Sequence, residues 1–321
     1  MHAAAFRHNC GINQWNTNSY VIHAVSDSPD GVYTVVDVPV PLWAHNPSVV
    51  QSPDTGEWVM TYVANTTAKN HPEWQYRCDQ HGRVVQNGSI PASHQLFQSN
   101  FITTSTSLDG PWSPPRQLDH LFDRVVPPFL AQGLPNRNTN LIVSLGRNGS
   151  MVGMWRRCCT PPPKYAPPGG GGKSVIFGVH AHQWRDLSSW VVSGTPLFPD
   201  LVADGYEDPF IYPDSRYSNV YHGMFHNMIG GWHEPAYNNT QVGAHAYSED
   251  GGLTWVDTGV AFNTTVVRED GTSLVLVRRE RPHVVLDATT GMVSYLTSGA
   301  TYALSEGEPS ATMVQPVARQ K

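Results

Sequence analysis

Apolar and polar positions in this chain fall into short paired runs, and the pairing repeats. The stretch 207–228 (EDPFIYPDSRYSNVYHGMFHNM) sets the type: two acids and a proline, an apolar run, a polar turn, and a second run that alternates in part. Period-two alternation bounded by turn residues predicts a β-hairpin. Three other stretches follow the same plan. Residues 45–64 open with His45-Asn46-Pro47 and turn at Asp54-Thr55-Gly56. Residues 137–157 open with Arg137-Asn138-Thr139 and turn at Asn148-Gly149. Residues 280–300 open with Glu280-Arg281-Pro282 and turn at Gly291. We call this unit the inner hairpin.

A second unit lies between successive inner hairpins, at 22–33, 102–112, 179–190 and 244–255. Each copy is an alternating strand, a polar turn and an aromatic residue: Tyr33, Trp112, Trp190 or Trp255. An inner plus an outer hairpin makes four strands, and repeated four-stranded units are the sequence sign of a β-propeller. The expected fold is all-β, a single propeller domain over residues 1–321, read as four clear repeats plus an incomplete N-terminal blade. The repeat of about 70 residues exceeds the roughly 40–50 of motif-rich propellers, so the blades must carry loops. Residues 65–99, which contain Cys78, and the Pro- and Gly-rich 158–173 are expected to be surface insertions. Residues 1–21 lead into an outer hairpin with no inner hairpin before it. Either that outer hairpin joins the C-terminal strands, or Met1 lies inside a former inner hairpin whose tail is HAAAF. The second is the expectation, and a weak strand at 311–317 is expected to complete the ring.

Composition agrees with many short strands. Only 14% of residues are charged, while Gly (28), Pro (26), Tyr (13) and Trp (10) are abundant. No stretch is long and apolar enough to span a membrane. The net charge of −6, without a Lys/Arg cluster, points away from nucleic-acid partners and anionic membranes. Cys10, Cys78, Cys158 and Cys159 show no metal or redox spacing. Sequons at Asn65, Asn87, Asn148, Asn238 and Asn263 exceed the chance number and point to a secreted or extracellular glycoprotein. The start MHAAAF lacks the regions of a signal peptide, which the expected N-terminal truncation would explain.

In a propeller the innermost strands begin near one mouth of the central channel. The openings of the inner hairpins therefore converge: His45-Asn46, Arg137-Asn138, Glu207-Asp208 and Glu280-Arg281. Isolated buried charge is costly, so this polar set predicts a solvated pocket, the alternative being salt bridges that tie the blades together. Carboxylates beside arginines and a histidine suit glycoside cleavage, in which one acid protonates the leaving oxygen and a second carboxylate activates water or attacks. Neighbouring acids raise one pKa and keep a proton available. Asn46, Asn138 and the arginines are placed to bind sugar hydroxyls, and Trp15, Tyr206 or Trp232 to stack on sugar faces.

The carboxylate-Pro openings, together with SDSPDGVY (26–33), STSLDGPW (105–112) and EDPF (207–210), resemble the five-bladed propeller glycosidases of glycoside hydrolase family 43 and its relatives in families 32, 68, 117 and 130. The resemblance covers most of residues 20–300 as short ordered motifs. It implies five blades, a carbohydrate substrate and three acids. These are a first Asp as base or nucleophile, a second Asp that orients and tunes, and a Glu as proton donor. In that order Asn46, Asp208 and Glu280 occupy the three places, and Asn46 departs from the pattern because an amide is neither base nor nucleophile. If a leading blade is absent instead, the first Asp is absent with it, and Glu207 takes the role of acid. The catalytic candidates are Asp208, Glu280 and Glu207. The substrate-binding candidates are His45, Asn46, Arg137, Asn138, Arg279, Arg281, His245 and Trp15. A non-catalytic sugar-binding propeller is the alternative. The resemblance also implies that a channel histidine, His245 or His226, holds a water or a cation such as calcium; no metal or other cofactor is otherwise expected.

A third reading rests on SEDGGLTW (248–255), which fits the Asp-box S-x-D-x-G-x-T-W of sialidases. That motif builds a hairpin turn away from the chemistry, and an arginine triad would have to come from Arg137, Arg279 and Arg281. Ser-His-Asp hydrolysis, phosphate loops and dinucleotide sites find no motif here.

Overall fold

The computed structural model describes residues 1–65, 70–89, 98–123, 138–158, 174–198, 205–227, 242–268, 270–301 and 310–317. The Pro/Gly-rich part of the 158–173 insertion and Arg137 lie outside these residues. Among the described residues twenty-two strands run β1 His2–Phe6, β2 Ser19–Val25, β3 Thr34–Val40, β4 Ala44–Gln51, β5 Trp58–Ala64, β6 Arg77–Cys78, β7 Val84–Gln86, β8 Ser99–Ser105, β9 Arg116–Gln117, β10 Asn138–Leu145, β11 Met151–Cys158 and β12 Ser174–Ala181. They continue with β13 Trp190–Pro196, β14 Tyr206–Pro213, β15 Tyr221–Asn227, β16 Gly243–Ser248, β17 Val256–Phe262, β18 Thr265–Val267, β19 Ser273–Val275, β20 Arg278–Leu286, β21 Val293–Thr301 and β22 Ala311–Pro316.

Five antiparallel sheets form the blades of a β-propeller: β1-β2-β3, β4-β5-β8-β9, β10-β11-β12-β13, β14-β15-β16-β17 and β20-β21-β22. We number them I to V. The predicted turns close the inner hairpins of blades II, III and V, with Gly56, Gly149 and Gly291 at φ of 72°, 78° and 68°, a region glycine enters without a Cβ clash. Apolar residues pack between adjacent blades rather than within one. Phe122, Trp155 and Phe177 stack between blades II and III. Ile142, Tyr206, Ile211 and Phe225 fill the space between III and IV. Each such side chain contributes on the order of 2–3 kcal/mol by burial. The outermost β3 and β17 are largely solvent-facing.

Blade I differs from the others. Its β2 precedes the turn ending at Tyr33, as β8, β12 and β16 precede the turns that end at Trp112, Trp190 and Trp255. β2 is thus a third strand and β1, carrying HAAAF, a second strand; no described strand lies on the axial side of β1. The N-terminal strands do not join the C-terminal ones, and β22 is the third strand of blade V, paired with β21. The ring closes through the turn after β1. Ile12 N–H donates to Ser310 Oγ at 2.6 Å, and Arg278 Nη1 donates to Asn13 Oδ1 at 2.5 Å.

The described part of the 65–99 insertion is docked on this turn. Cys78 forms a disulfide with Cys10. The Asn18 side-chain amide donates to Arg7 O and Tyr76 O and accepts from Tyr76 N–H. Trp74 is buried beneath. No helix among the described residues is long and apolar enough to cross a membrane. Of the sequons, Asn87, Asn148 and Asn263 are exposed, Asn65 is buried, and Asn238 lies outside the described residues.

Candidate functional site

The inner strands of blades II to V share one irregularity. Each pairing slips by a bulge, between His45 and Ser48, Thr139 and Ile142, Glu207 and Phe210, and Glu280 and His283. Inside each bulge one residue takes a left-handed backbone: Asn46 (φ 49°), Asn140 (56°), Asp208 (47°) and Arg281 (55°). A bulge re-aims a side chain, and here the four are linked to one another at the axis. Asn46 and Asn140 each donate an amide hydrogen to Asp208 Oδ1, at 2.9 and 2.5 Å, and Arg281 Nε donates to Asn46 Oδ1 at 2.5 Å. Non-glycine residues at positive φ are uncommon, and four at equivalent positions mark a built site.

The residues before the ring positions, His45, Thr139, Glu207 and Glu280, are all buried, so the set expected to line a solvated pocket is largely packed and ion-paired. Glu207 is buried against Arg156, whose Nη2 lies 3.0 Å from Oε2. Glu280 receives Arg278 Nε at 2.7 Å on Oε2 and Arg281 Nη1 on Oε1. His45 is buried edge-on to Trp15 and Trp43. A cleft of about 20 Å³ between Trp15, Gln98, Arg156, Glu207 and Arg278 holds about one water. A cavity of about 650 Å³ opens between β1, β4, β14 and β20 and reaches the ring itself, with Trp15, His45, Asn46, Asn140, Asp208 and Arg281 in its lining.

The two acids of β14 are driven apart. Burial pushes Glu207 above the ordinary carboxylate range, the Arg156 guanidinium opposes this, and the Asp208 charge reinforces it. Burial also pushes Asp208 upward, but the Arg281 and Arg156 guanidiniums hold it below its usual value. Burial lowers His45 to about 3, helped by Arg281, and lowers His226 to about 4 against the pull of Asp208. Both rings are neutral near pH 7.

Glu207, Asp208 and His226 bring one ligand atom each within 4.8 Å of one another. Asp208 Oδ1 already accepts two amides, and the Arg156, Arg278 and Arg281 guanidiniums surround the group. Three cations at this range repel a dication in a low-dielectric site, so the residues fit calcium poorly.

Other sequence candidates stand elsewhere. Asn138 is buried off the ring, donating to Asp123 and accepting from Arg157. The ring residue of blade III is Asn140. That inner strand has no proline to anchor the comparison, and a shift of two residues keeps the same faces. The signal available was Asn140 as the last polar residue before the apolar run. Arg279 points away from Arg281: two residues apart on a regular strand would share a face, but the bulge between Glu280 and His283 and the left-handed backbone of Arg281 re-aim that side chain. Arg279 lies over Phe262 and donates to Ser298, Asn263 O and Gln315. No arginine triad is formed by Arg279 and Arg281. His245 lies on β16, away from the axis, between His222 at 3.1 Å and Thr258 at 2.7 Å. Tyr206 is core, stacked on Phe225, and Trp232 lies outside the described residues. Arg156 carries no motif and is legible only from the fold.

No family model matches the chain, and no curated protein matches it. Its fold is similar to that of the catalytic domain of a family 62 α-L-arabinofuranosidase from Coprinopsis cinerea, at 9% identity and a TM-score of 0.55 over 98% of this chain and 85% of that one. A family 117 glycoside hydrolase from the marine bacterium Zobellia galactanivorans gives 10% identity and a TM-score of 0.53, over 95% and 72% of the two chains. A family 43 protein from Bacillus licheniformis gives 11% and 0.52, over 99% of this chain and 50% of that one. With its five blades, this chain has the β-propeller fold found in glycoside hydrolases of families 43, 62 and 117.

Proposed function

We propose that the chain acts on a glycoside, with Glu207 as proton donor and Asp208 as the carboxylate that tunes it. The observation that carries this reading is the pairing of the two acids on β14, with carboxylate oxygens within 4.8 Å and environments that favour opposite protonation states. Glycoside cleavage requires a protonated acid beside a charged carboxylate. Glu207 borders the one-water cleft with Trp15, Gln98 and Arg278, which in this reading lies at the inner end of the sugar site. Glu280, engaged by two guanidiniums, positions Arg278 and Arg281 in this reading. The Cys10–Cys78 disulfide supports an oxidising, secretory location.

A second reading is a carbohydrate-binding propeller without turnover. It is favoured by Asn46 and Asn140, amides at ring positions that can act neither as base nor as nucleophile. A glycan panel scored for reducing-sugar release and, in parallel, for binding by calorimetry separates the two. The first reading expects release that Glu207→Gln lowers at least about 100-fold in kcat with binding retained. Binding without release assigns the second reading; neither binding nor release removes both.

A further inference from the structure

We propose that His222 and His245 bind a divalent transition-metal ion of the zinc and copper type, on blade IV and apart from the axis. All four strands of that blade, with the turn after β14, contribute to one row of side chains. Tyr212 of β14 stacks on the His222 ring of β15, with centroids 5.1 Å apart. His222 Nδ1 lies 3.1 Å from His245 Nε2 of β16, and His245 Nδ1 lies 2.7 Å from Thr258 Oγ1 of β17. Asp214, in the turn after β14, closes the row with its Oδ2 at 3.0 Å from His222 Nε2.

The hydrogen bonds at the two ends of the row set the two tautomers. A carboxylate only accepts, so the proton of His222 stands on Nε2 and its Nδ1 is a bare lone pair. Asp214 is itself fixed: Oδ1 accepts from Arg216 N–H at 2.7 Å and Tyr217 N–H at 3.2 Å, and Arg216 Nη2 pairs with Oδ2 at 3.3 Å. Thr258 Oγ1 donates to His245 O at 3.0 Å. Its single hydrogen thus spent, it accepts from His245 Nδ1–H, which leaves Nε2 bare as well. Two lone pairs then meet at 3.1 Å on the facing edges of rings whose centroids are 5.3 Å apart. They repel unless both share a positive centre. Zinc–imidazole bonds are about 2.0–2.1 Å long, so one ion on both nitrogens would subtend about 100°, between a right angle and the tetrahedral angle. The broad χ2 torsion of histidine lets the rings turn onto it. A ligating histidine commonly gives its other N–H to a carboxylate, as His222 does here. Imidazole nitrogens suit zinc, copper or nickel, whereas calcium takes oxygen. The His222 side chain is 22% exposed and Thr258 is exposed, so the ion and its remaining water ligands have access.

Calorimetric titration of the full chain with zinc chloride near neutral pH counts the zinc sites and their affinities, including any made by other histidines. His222→Asn and His245→Gln should each remove one site or weaken it at least tenfold, with circular dichroism unchanged. Both rings are partly buried, so the exposed Thr258→Ala supplies a milder variant. It releases the His245 tautomer and should weaken the same site at least threefold. Asp214→Asn keeps an acceptor in the turn without the charge and should weaken the site about tenfold. In nitrogen-15 spectra of the imidazoles of the unaltered chain, zinc should shift His222 Nδ1 and His245 Nε2, and calcium chloride should shift neither. Equal zinc stoichiometry and affinity in the unaltered chain and both histidine variants, or an equal response to calcium, overturns the proposal. So does a proton held between the two nitrogens that zinc does not displace, which would make the row a hydrogen-bonded chain only. None of these readouts depends on glycoside turnover.

Discussion

Asp208 accepts two amides on one oxygen, and guanidiniums from two blades, Arg156 and Arg281, hold its acidity. Its replacement by Asn keeps the shape and removes the charge. The amides of Asn46 and Asn140 would then share a weaker acceptor in a buried place, and Arg281 would lose a nearby counter-charge. Breaking a buried ionic network from one side costs on the order of 3 kcal/mol, so Asp208→Asn should lower urea-measured stability by about that amount. Arg279→Met should behave differently. The guanidinium is buried and meets only neutral partners, Ser298, Asn263 O and Gln315, over the Phe262 ring. An apolar side chain of similar length keeps the packing but strands those acceptors, at a cost of about 1–3 kcal/mol and with no change in substrate affinity. At this scale the sequence placed Glu207, Asp208 and Glu280 at the openings of inner strands, where the structure has them, but did not show which arginine reaches them. Arg279 and Arg281 differ only in strand face, and the bulge at Glu280 to His283 that fixes the face leaves no mark in composition.

Among the elements, the hairpins were legible because period-two alternation and turn chemistry agree at each copy. The Asp-box of blade IV behaves as its residues suggest. Asp250 accepts from Leu253 N–H, Thr254 N–H and Thr254 Oγ, and Trp255 Nε1 donates to Gly252 O. Asp250→Ala should cost about 1–2 kcal/mol, by analogy with a lost helix cap, and leave ligand binding intact. The register of β10 was not legible, for want of a proline. The Cys10–Cys78 pairing was not legible either, since four cysteines permit several pairings. The bridged residues are separated by 68 positions. A loop of that size implies about 4 kcal/mol of stabilisation through the unfolded chain, which Cys10→Ser with Cys78→Ser should remove in a urea titration.

For the molecule as a whole, stability should depend on pH through its buried histidines. His2 and His226 titrate at about 4 and His45 at about 3, each lowered chiefly by burial, against about 6.5 in an unfolded chain. Between those values the unfolded state binds protons that the folded state refuses. The contribution is therefore complete above pH 6.5 and is lost as pH falls toward 4. Glu207 and Asp119, with raised pKa values, act in the opposite sense, while His180, His245 and His283, also lowered by burial, add to the fall. The urea midpoint should fall from pH 7 to pH 5, by on the order of 1–2 kcal/mol for each deeply buried ring, and His226→Gln should flatten the slope. The ring architecture was readable from recurrence alone. The three-stranded make-up of blade I followed from which strand carries the Tyr33 turn.

The left-handed backbone shared by Asn46, Asn140, Asp208 and Arg281 has a consequence for how such a scaffold changes occupation. Asparagine and aspartate tolerate that conformation best after glycine, and they have nearly the same shape. Exchanging one for the other at a single blade would alter the number of acids on the axis while the surrounding sheets keep their hydrogen bonds. Catalytic competence and mere capture of a ligand would then be separated by one oxygen-for-nitrogen replacement, with the propeller itself indifferent to which is present.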